Sequence, residues 1–322
     1  MTLPPSAAEP RPSAVVAVDI GGTKIATGLV TDAEPATVHA RAVRPTRAQE
    51  GAEAVMAEVV AAVMAALQAA RDAGVEVTAV GVGAPGVVNP SEGVIAFAGP
   101  TMPGWGGTPV AARLQEATGL PVAIHNDVRV MGLGEATYGG GRGMQDVLFV
   151  SIGTGIGGAF ISDGRVPDSP HHCRGEIAYA PCPAPDGSYS FLEEVGAGPK
   201  LSAAYCRAAG LAEDALALPA VMERYHAGED LARTIITERM RCVGRGLAGL
   251  VAAVDVSAIV VGGGVGTLGA AIMDPLEEGL RAHLMPYHAE LPLSVATLGT
   301  NAPLVGAAVL ARQARTAPHA DA

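Results

Sequence analysis

The chain has 322 residues, 49% of them hydrophobic and 16% charged, which is core material for two ordinary domains or one large one and excludes disorder over most of its length. Its 32 acidic against 21 basic residues leave a net charge of −11, which argues against a broad surface for nucleic acid or anionic lipid. Anionic ligands are left to small sites built from backbone amides.

The first thirteen residues, MTLPPSAAEPRPS, have neither a basic start nor an apolar run, and they read as a Pro-rich disordered tail rather than a signal peptide. Runs rich in Val and Ile at 14–20, 77–82, 122–124, 147–152 and 258–261 read as strands. Several are followed by Gly or Asp and then by a helical pattern, which is α/β organisation. Val55, Val59, Val63 and Leu67 mark one helix, and Ile236, Met240, Val243, Leu247, Leu250 and Val254 mark a long one ending at Asp255. Both stripes read as core faces. The stretch 167–189, rich in Pro, His, Cys and Ser and without a period, reads as a functional loop or irregular insertion. The uncharged run from Val256 to Met273 is long enough to raise a membrane span, but Gly262, Gly263 and Gly264 break it into a buried strand, a turn and a helix. The four cysteines, Cys173, Cys182, Cys206 and Cys242, show no CxxC spacing, so a reduced, cytoplasmic protein is expected.

A coarse duplication is visible. Strand 14–20 runs into Gly21-Gly22-Thr23-Lys24 and then another strand, and strand 147–152 runs into Gly153-Thr154-Gly155-Ile156-Gly157-Gly158 and then another. Glycine lets such a turn adopt positive φ and bring its N–H groups against a ligand, and convergent amides make a nest for phosphate. A β-hairpin needs glycine for its turn in any case, so one cluster alone leaves both readings open. Two of them, one per half, suggest a polyphosphate held in a cleft. Asp19, at the end of the first strand, either holds Mg²⁺, directly or through water, or caps the turn after it. Gly153-x-Gly155-x-x-Gly158 also matches the dinucleotide fingerprint, which requires a strand that feeds a helix. Here Ala159-Phe160-Ile161 followed by Ser162-Asp163-Gly164 reads as a strand and a turn, against NAD. HRD, DFG and Walker A patterns are all missing. His125-Asn126-Asp127 joins a strand to a helix, where Asp127 is either a catalytic carboxylate at a crevice mouth or a helix cap. Amide cradles, an acid for Mg²⁺ and a carboxylate for a hydroxyl proton are what phosphoryl transfer to an alcohol needs.

In this order the motifs resemble the ROK family of sugar kinases, in the actin-like, sugar kinase and heat-shock ATPase superfamily. Residues 18–24 are similar to its first phosphate motif, Ser151 to Gly158 to its second, Gly83-Ala84-Pro85-Gly86-Val87-Val88 to its sugar-pocket segment, Asn126-Asp127 to its sugar-binding and catalytic pair, Ile259 to Val265 to its adenosine motif, and 299–308 to its closing helix. The resemblance implies two actin-like (ribonuclease-H-like) α/β domains with an interdomain cleft for ATP and sugar. The expected boundaries are 14–125, completed by a C-terminal helix 303–316, and 126–302. It further implies Asp127 as general base. Gly86, Thr101, Asn126, Glu176, Tyr179 and Glu193 would serve the sugar. Asp19, Gly21, Gly22, Thr23, Lys24, Gly153, Thr154, Gly155, Gly263 and Gly264 would serve the nucleotide and its Mg²⁺. Family members are commonly homodimers or homotetramers, and the sequence selects neither.

Departures from the family pattern bear on the substrate. The family's Gly-Glu-x-Gly-His segment is Gly175-Glu176-Ile177-Ala178-Tyr179 here, with Tyr in place of a histidine that also binds zinc, and the following segment keeps one cysteine, Cys182, of three. The usual structural zinc is therefore expected to be absent. His171, His172, Cys173 and Cys182 are the residues left for a different metal site. Thr101 stands where many hexokinases of the family have Asn. These changes point to a hexose or an amino-sugar hexose, such as an aminodeoxyglucose or N-acetylmannosamine, phosphorylated on its 6-hydroxyl; ATP is the expected donor, and the sequence does not decide between it and polyphosphate. Glu176 and Glu193 suit an ammonium as well as hydroxyls. The competing classes are a ROK transcriptional regulator and a non-catalytic sugar sensor. The thirteen residues before Ala14 cannot fold as a helix-turn-helix domain, and Asp127 with both glycine turns speaks for catalysis.

Overall fold

The structure is a computed structural model and describes residues 12–316. Residues 1–11 of the expected tail lie outside the described residues, whereas Ser13 already pairs with Glu76 as part of the first strand. The chain divides into two compact units. One runs to Gly134 and resumes at Thr300; the other is Glu135–Gly299. The first holds β1 (Ser13–Ile20), β2 (Lys24–Thr31), β3 (His39–Pro45), α1 (Ala52–Asp72), β4 (Glu76–Ala84), β5 (Val87–Asn89), β6 (Val94–Phe97), α2 (Val110–Thr118), β7 (Val122–Asn126) and the start of α3 (Asp127–Tyr138). The second continues with β8 (Asp146–Ile152), β9 (Ile156–Ser162), β10 (Pro181–Pro183), β11 (Tyr189–Phe191), α4 (Leu192–Gly196), α5 (Gly198–Ala208), α6 (Leu218–His226), α7 (Asp230–Val254), β12 (Ala258–Gly262), α8 (Gly263–Gly266), α9 (Ala270–Arg281) and β13 (Leu293–Val295). Helix α10 (Ala302–Thr316) returns to the first unit.

The first unit is built on a sheet of order β3-β2-β1-β4-β7, with β1 antiparallel to β2 and parallel to β4. The apolar run of β1 is unbroken because both of its faces are covered. Val16, Val18 and Ile20 pack with Val55, Val59 and Val63 of α1 and with Trp105, while Val15 and Ala17 pack with Leu304, Ala307 and Ala308 of α10. Helix α10 lies on backbone: a Cβ on Gly81 would come within 1.9 Å of the Ala307 carbonyl oxygen. Helix α1 is long and apolar enough to cross a bilayer, yet its valine stripe is this core face.

The second unit repeats the theme, with a sheet of order β13-β12-β8-β9 in which only the β8–β9 pair is antiparallel. Its core gathers Leu148, Val150 and Ile152 of β8 with Ile236, Met240, Val243 and Leu247 of α7. The long helix begins at Asp230, ahead of the stripe seen in the sequence, and ends as read, with Asp255 in the left-handed region at φ 58°. The run from Val256 to Met273 resolves into β12, a turn and the helices after it. The aperiodic stretch 167–189 contains a 3₁₀ turn, Ile177–Tyr179, then β10 and the turn of the β10–β11 hairpin.

Candidate active site

In the first unit, the turn after β1 is closed by the Gly21 N–H on the Lys24 carbonyl at 2.9 Å and steadied by the Thr46 hydroxyl on the Gly21 carbonyl at 2.6 Å. Gly22, Thr23 and Lys24 are exposed on it. Asp19 pairs across the sheet with Gly83, and Gly83 with His125. A Cβ built on Gly83 would lie 3.4 Å from the Asp127 Cα. A bare glycine therefore separates the two carboxylates, Asp19 at the end of β1 and Asp127 at the start of α3.

The capping question left by the sequence is decided here. The Asn126 Oδ1 accepts the Val128 and Arg129 N–H groups at 3.1 and 3.2 Å, which is the N-cap of α3. Its Nδ2 donates to the Gly86 carbonyl at 3.0 Å, and Gly86 sits at φ 100°, where a Cβ would be 2.4 Å from the Phe97 carbonyl oxygen. Asp127 accepts the neighbouring Val128 N–H at 2.9 Å and interacts with its own backbone N–H, while the N–H of Arg129 goes to Asn126, so the cap is Asn126. Burial, and after it the negative charge of Asp19, push the Asp127 carboxyl up to about 7, against the pull of the Val128 N–H and of Arg129. Burial likewise raises Asp19 to about 6, against Lys24 and Arg41. A divalent cation would relieve this crowding, and Mg²⁺ usually takes one or two carboxylates and completes its shell with water and phosphate, so Asp19 fits that role. Thr101 is exposed in the loop between β6 and α2.

In the second unit, the β8–β9 turn is closed by the Gly153 N–H on the Gly155 carbonyl at 2.9 Å and fastened by the Gly198 N–H on the Gly153 carbonyl at 2.8 Å. Gly263, at φ 81°, packs so closely that a Cβ would be 2.4 Å from the Ile152 carbonyl oxygen. A cavity of about 1060 Å³ opens here, lined by Gly153, Thr154 and Gly264, which the sequence had pointed to. Val265, from the expected adenosine motif, also lines it, and its other walls the sequence did not reveal: Gly198, Pro199 and Lys200 at the start of α5, the apolar Leu216, Leu218, Pro219 and Met222, the basic Arg207 and Arg239, and the acidic Glu194, Glu213 and Asp214, of which Glu194 pairs with Lys200 and Glu213 with Arg207. The Gly-Pro-Lys start of α5 was the available signal, because proline favours the first helical position and a helix N-terminus attracts anions. The α6 wall gave none, since its apolar face reads as core. Glycine-turn amides together with apolar and basic side chains in one lining suit a nucleoside polyphosphate.

Glu176 stands at the head of the 3₁₀ turn, half-buried. Tyr179 is 71% exposed and meets Phe191 edge-on, ring centres 6.0 Å apart. Glu193, on α4, accepts the Ile156 N–H through Oε2 at 3.0 Å. Cys182 is buried, with its sulfur against the Pro183 and Cys242 carbonyls, and burial pushes its thiol up to about 12. Cys173 is exposed and donates to the His171 carbonyl. Among the described residues, no three or more His, Cys, Asp or Glu side chains group as a metal site would require.

The ROK family model matches residues 15–314. The chain belongs to the ROK family. It is 31% identical to a glucokinase of Streptomyces coelicolor over 320 residues, covering 92% of this chain and 97% of that one. Among solved structures it resembles a ROK hexokinase from Thermus thermophilus, with 33% identity, a TM-score of 0.80 and coverage of 94% and 99% of the two chains. It also resembles a ROK glucokinase from Streptomyces griseus in complex with glucose and AMPPNP, at 30% identity, a TM-score of 0.77 and coverage of 93% and 99%. This ROK chain thus has the α/β fold of the sugar kinases, as its motif order implied.

Proposed function

We propose that this protein transfers the terminal phosphoryl group of ATP to the 6-hydroxyl of a hexose or amino-sugar hexose, with Asp127 as the general base. The chain is a sugar kinase; the donor, the position and the base are the finer reading. The observation that carries it is the Asp127 carboxyl, buried beside Asp19 at the head of α3, while Asn126 does the capping. A carboxyl raised to about 7 is suited to accept a hydroxyl proton near neutral pH as the phosphoryl group departs to the sugar oxygen. Asn126 holds the strand-to-helix corner rigid, so that Asp127 keeps its place. Asp19 would hold Mg²⁺, which supplies charge neutralisation on the phosphates when bound. In the second unit, the Gly153–Gly155 amides and the start of α5 are assigned to the phosphates and the apolar side chains of the cavity to the base. Those side chains support ATP over polyphosphate, which has no base to place there. AMPPNP and glucose accompany the Streptomyces griseus relative, which supports the same assignment. Glu176 and Glu193 provide negative charge for an amino sugar's ammonium.

An ADP-release assay across hexoses and amino sugars, with the phosphorylated position assigned by NMR, tests this reading. We expect turnover with at least one hexose and phosphate on O6. Equal rates with glucose and every amino sugar would remove the case for an amino-sugar preference, and no turnover with any sugar would remove the kinase assignment.

A further inference from the structure

The β8–β9 turn hangs on one carboxylate. Glu193 Oε2 accepts the N–H of Ile156, the residue that follows the turn, at 3.0 Å. The same oxygen lies over the next residue back, since a Cβ on Gly155 would be 2.5 Å from it. Gly155 has no positive φ, so what a side chain there would meet is the Glu193 carboxylate, which would have to swing away from Ile156 to admit it. The opposite end of the turn is tied separately, through Gly198 on Gly153. Glu193 is half-buried, and among the described residues its Oε1 makes no hydrogen bond.

We propose that Glu193 is a positioning residue for the nucleotide turn. Oε2 fixes the Gly153–Gly155 amides in their phosphate-binding arrangement, while Oε1 takes a sugar hydroxyl, so that sugar binding tightens nucleotide binding through one side chain. This rests on the kinase reading and adds the link between the two substrates. A carboxylate that served the sugar alone would not need the Ile156 N–H, and Oε1, without a hydrogen bond among the described residues, is left for a ligand. Coupling of this kind is a reciprocal change in affinity.

The test is a double-mutant cycle on affinity for Mg²⁺–AMPPNP, measured by titration calorimetry with and without D-glucose. Without sugar, Glu193→Ala and Gly155→Ala should each weaken AMPPNP binding about tenfold, as loss of a charged hydrogen bond does. The double variant should be no weaker than either single one, because both changes remove the same contact. Glu193→Gln, whose amide oxygen still accepts from Ile156, should keep AMPPNP affinity within about threefold of wild type. Glucose should tighten AMPPNP binding to the wild type and not to Glu193→Ala. Circular dichroism of each variant separates these effects from misfolding, and Glu193→Gln carries the test should Gly155→Ala fail to fold. The proposal is overturned if Glu193→Ala leaves AMPPNP affinity unchanged, if the two single effects multiply, or if neither glucose nor any other hexose or amino sugar that the protein phosphorylates changes wild-type affinity. A wild type that binds AMPPNP in the expected cycle but phosphorylates no sugar would refute the kinase reading while keeping the hold on the turn.

Discussion

As the proposed general base, Asp127 would meet two opposed demands, burial for a dry reaction site and ionisation for proton transfer. Its carboxyl stands above the unfolded value of 3.8, at about 7, so the native state binds the proton more tightly than the unfolded chain. The stability this group contributes is fully present below about pH 4 and is lost as pH rises through 7. Asp127→Asn should therefore raise the unfolding free energy at pH 7.5 by on the order of 1–3 kcal/mol, read by urea denaturation, while turnover falls by about 10²–10⁴. A mutant that turns over at the wild-type rate would show that another residue is the base. For the wild type, kcat/KM should climb with pH and level off above an inflection near 7, because the ionised carboxylate is the active form. A flat profile from pH 5.5 to 8 would contradict that assignment. The sequence left Asp127 open between cap and catalyst; the hydrogen bonds of Asn126 assign that residue the cap and leave the catalytic role of Asp127 as the proposal to be tested.

Among elements, the helices differ in how openly the sequence showed them. The stripes of α1 and α7 were legible because each buries a face of its helix, although the α7 face ends at Val251 and Val254, read as part of it, is 46% exposed at the helix end. Boundaries for α5 and α6 were not legible in the sequence, because each is short, and the α6 residues Leu218 and Met222 that line the cavity belong to the core as well. β3 carried no pattern, since it is an edge strand exposed along nearly all its length. Glycines inside helices gave another hidden signal. Helices α7 and α9 cross backbone to backbone: a Cβ on Gly244 would stand 2.0 Å from the Leu276 carbonyl oxygen, and one on Gly279 2.1 Å from that of Arg241. Gly244→Ala should cost about 2–3 kcal/mol by forcing the helices apart, visible as a lower urea midpoint with an unchanged m-value.

At the scale of the whole molecule, the chain enters the second unit at Glu135 and leaves it at Gly299. Glu135 is fully buried, and its carboxylate accepts the N–H groups of Gly140, Thr297 and Leu298 at 3.0, 2.9 and 2.9 Å. One side chain thus ties the segment just after the entry to the segment just before the exit. Glu135→Ala should destabilise the protein by about 3 kcal/mol or more, because three backbone donors lose a charged acceptor, and Glu135→Gln by less. Equal midpoints for the variants and the wild type in thermal denaturation would show that the tie carries no stability.

The sequence by itself determined the α/β class, the pair of strand–glycine turn–strand motifs, the long core helices and the family, because periodicity, turn chemistry and motif order are local and survive along the chain. Tertiary structure alone decided what depends on residues far apart. It assigned the cap to Asn126 and set Asp127 across Gly83 from Asp19. It built a cavity from α5 and α6 beside the glycine turn, and it placed Glu193 under that turn, 37 residues from its partner Ile156. Each of these rests on a distance or on a loss of solvent, and neither is written in the order of the residues.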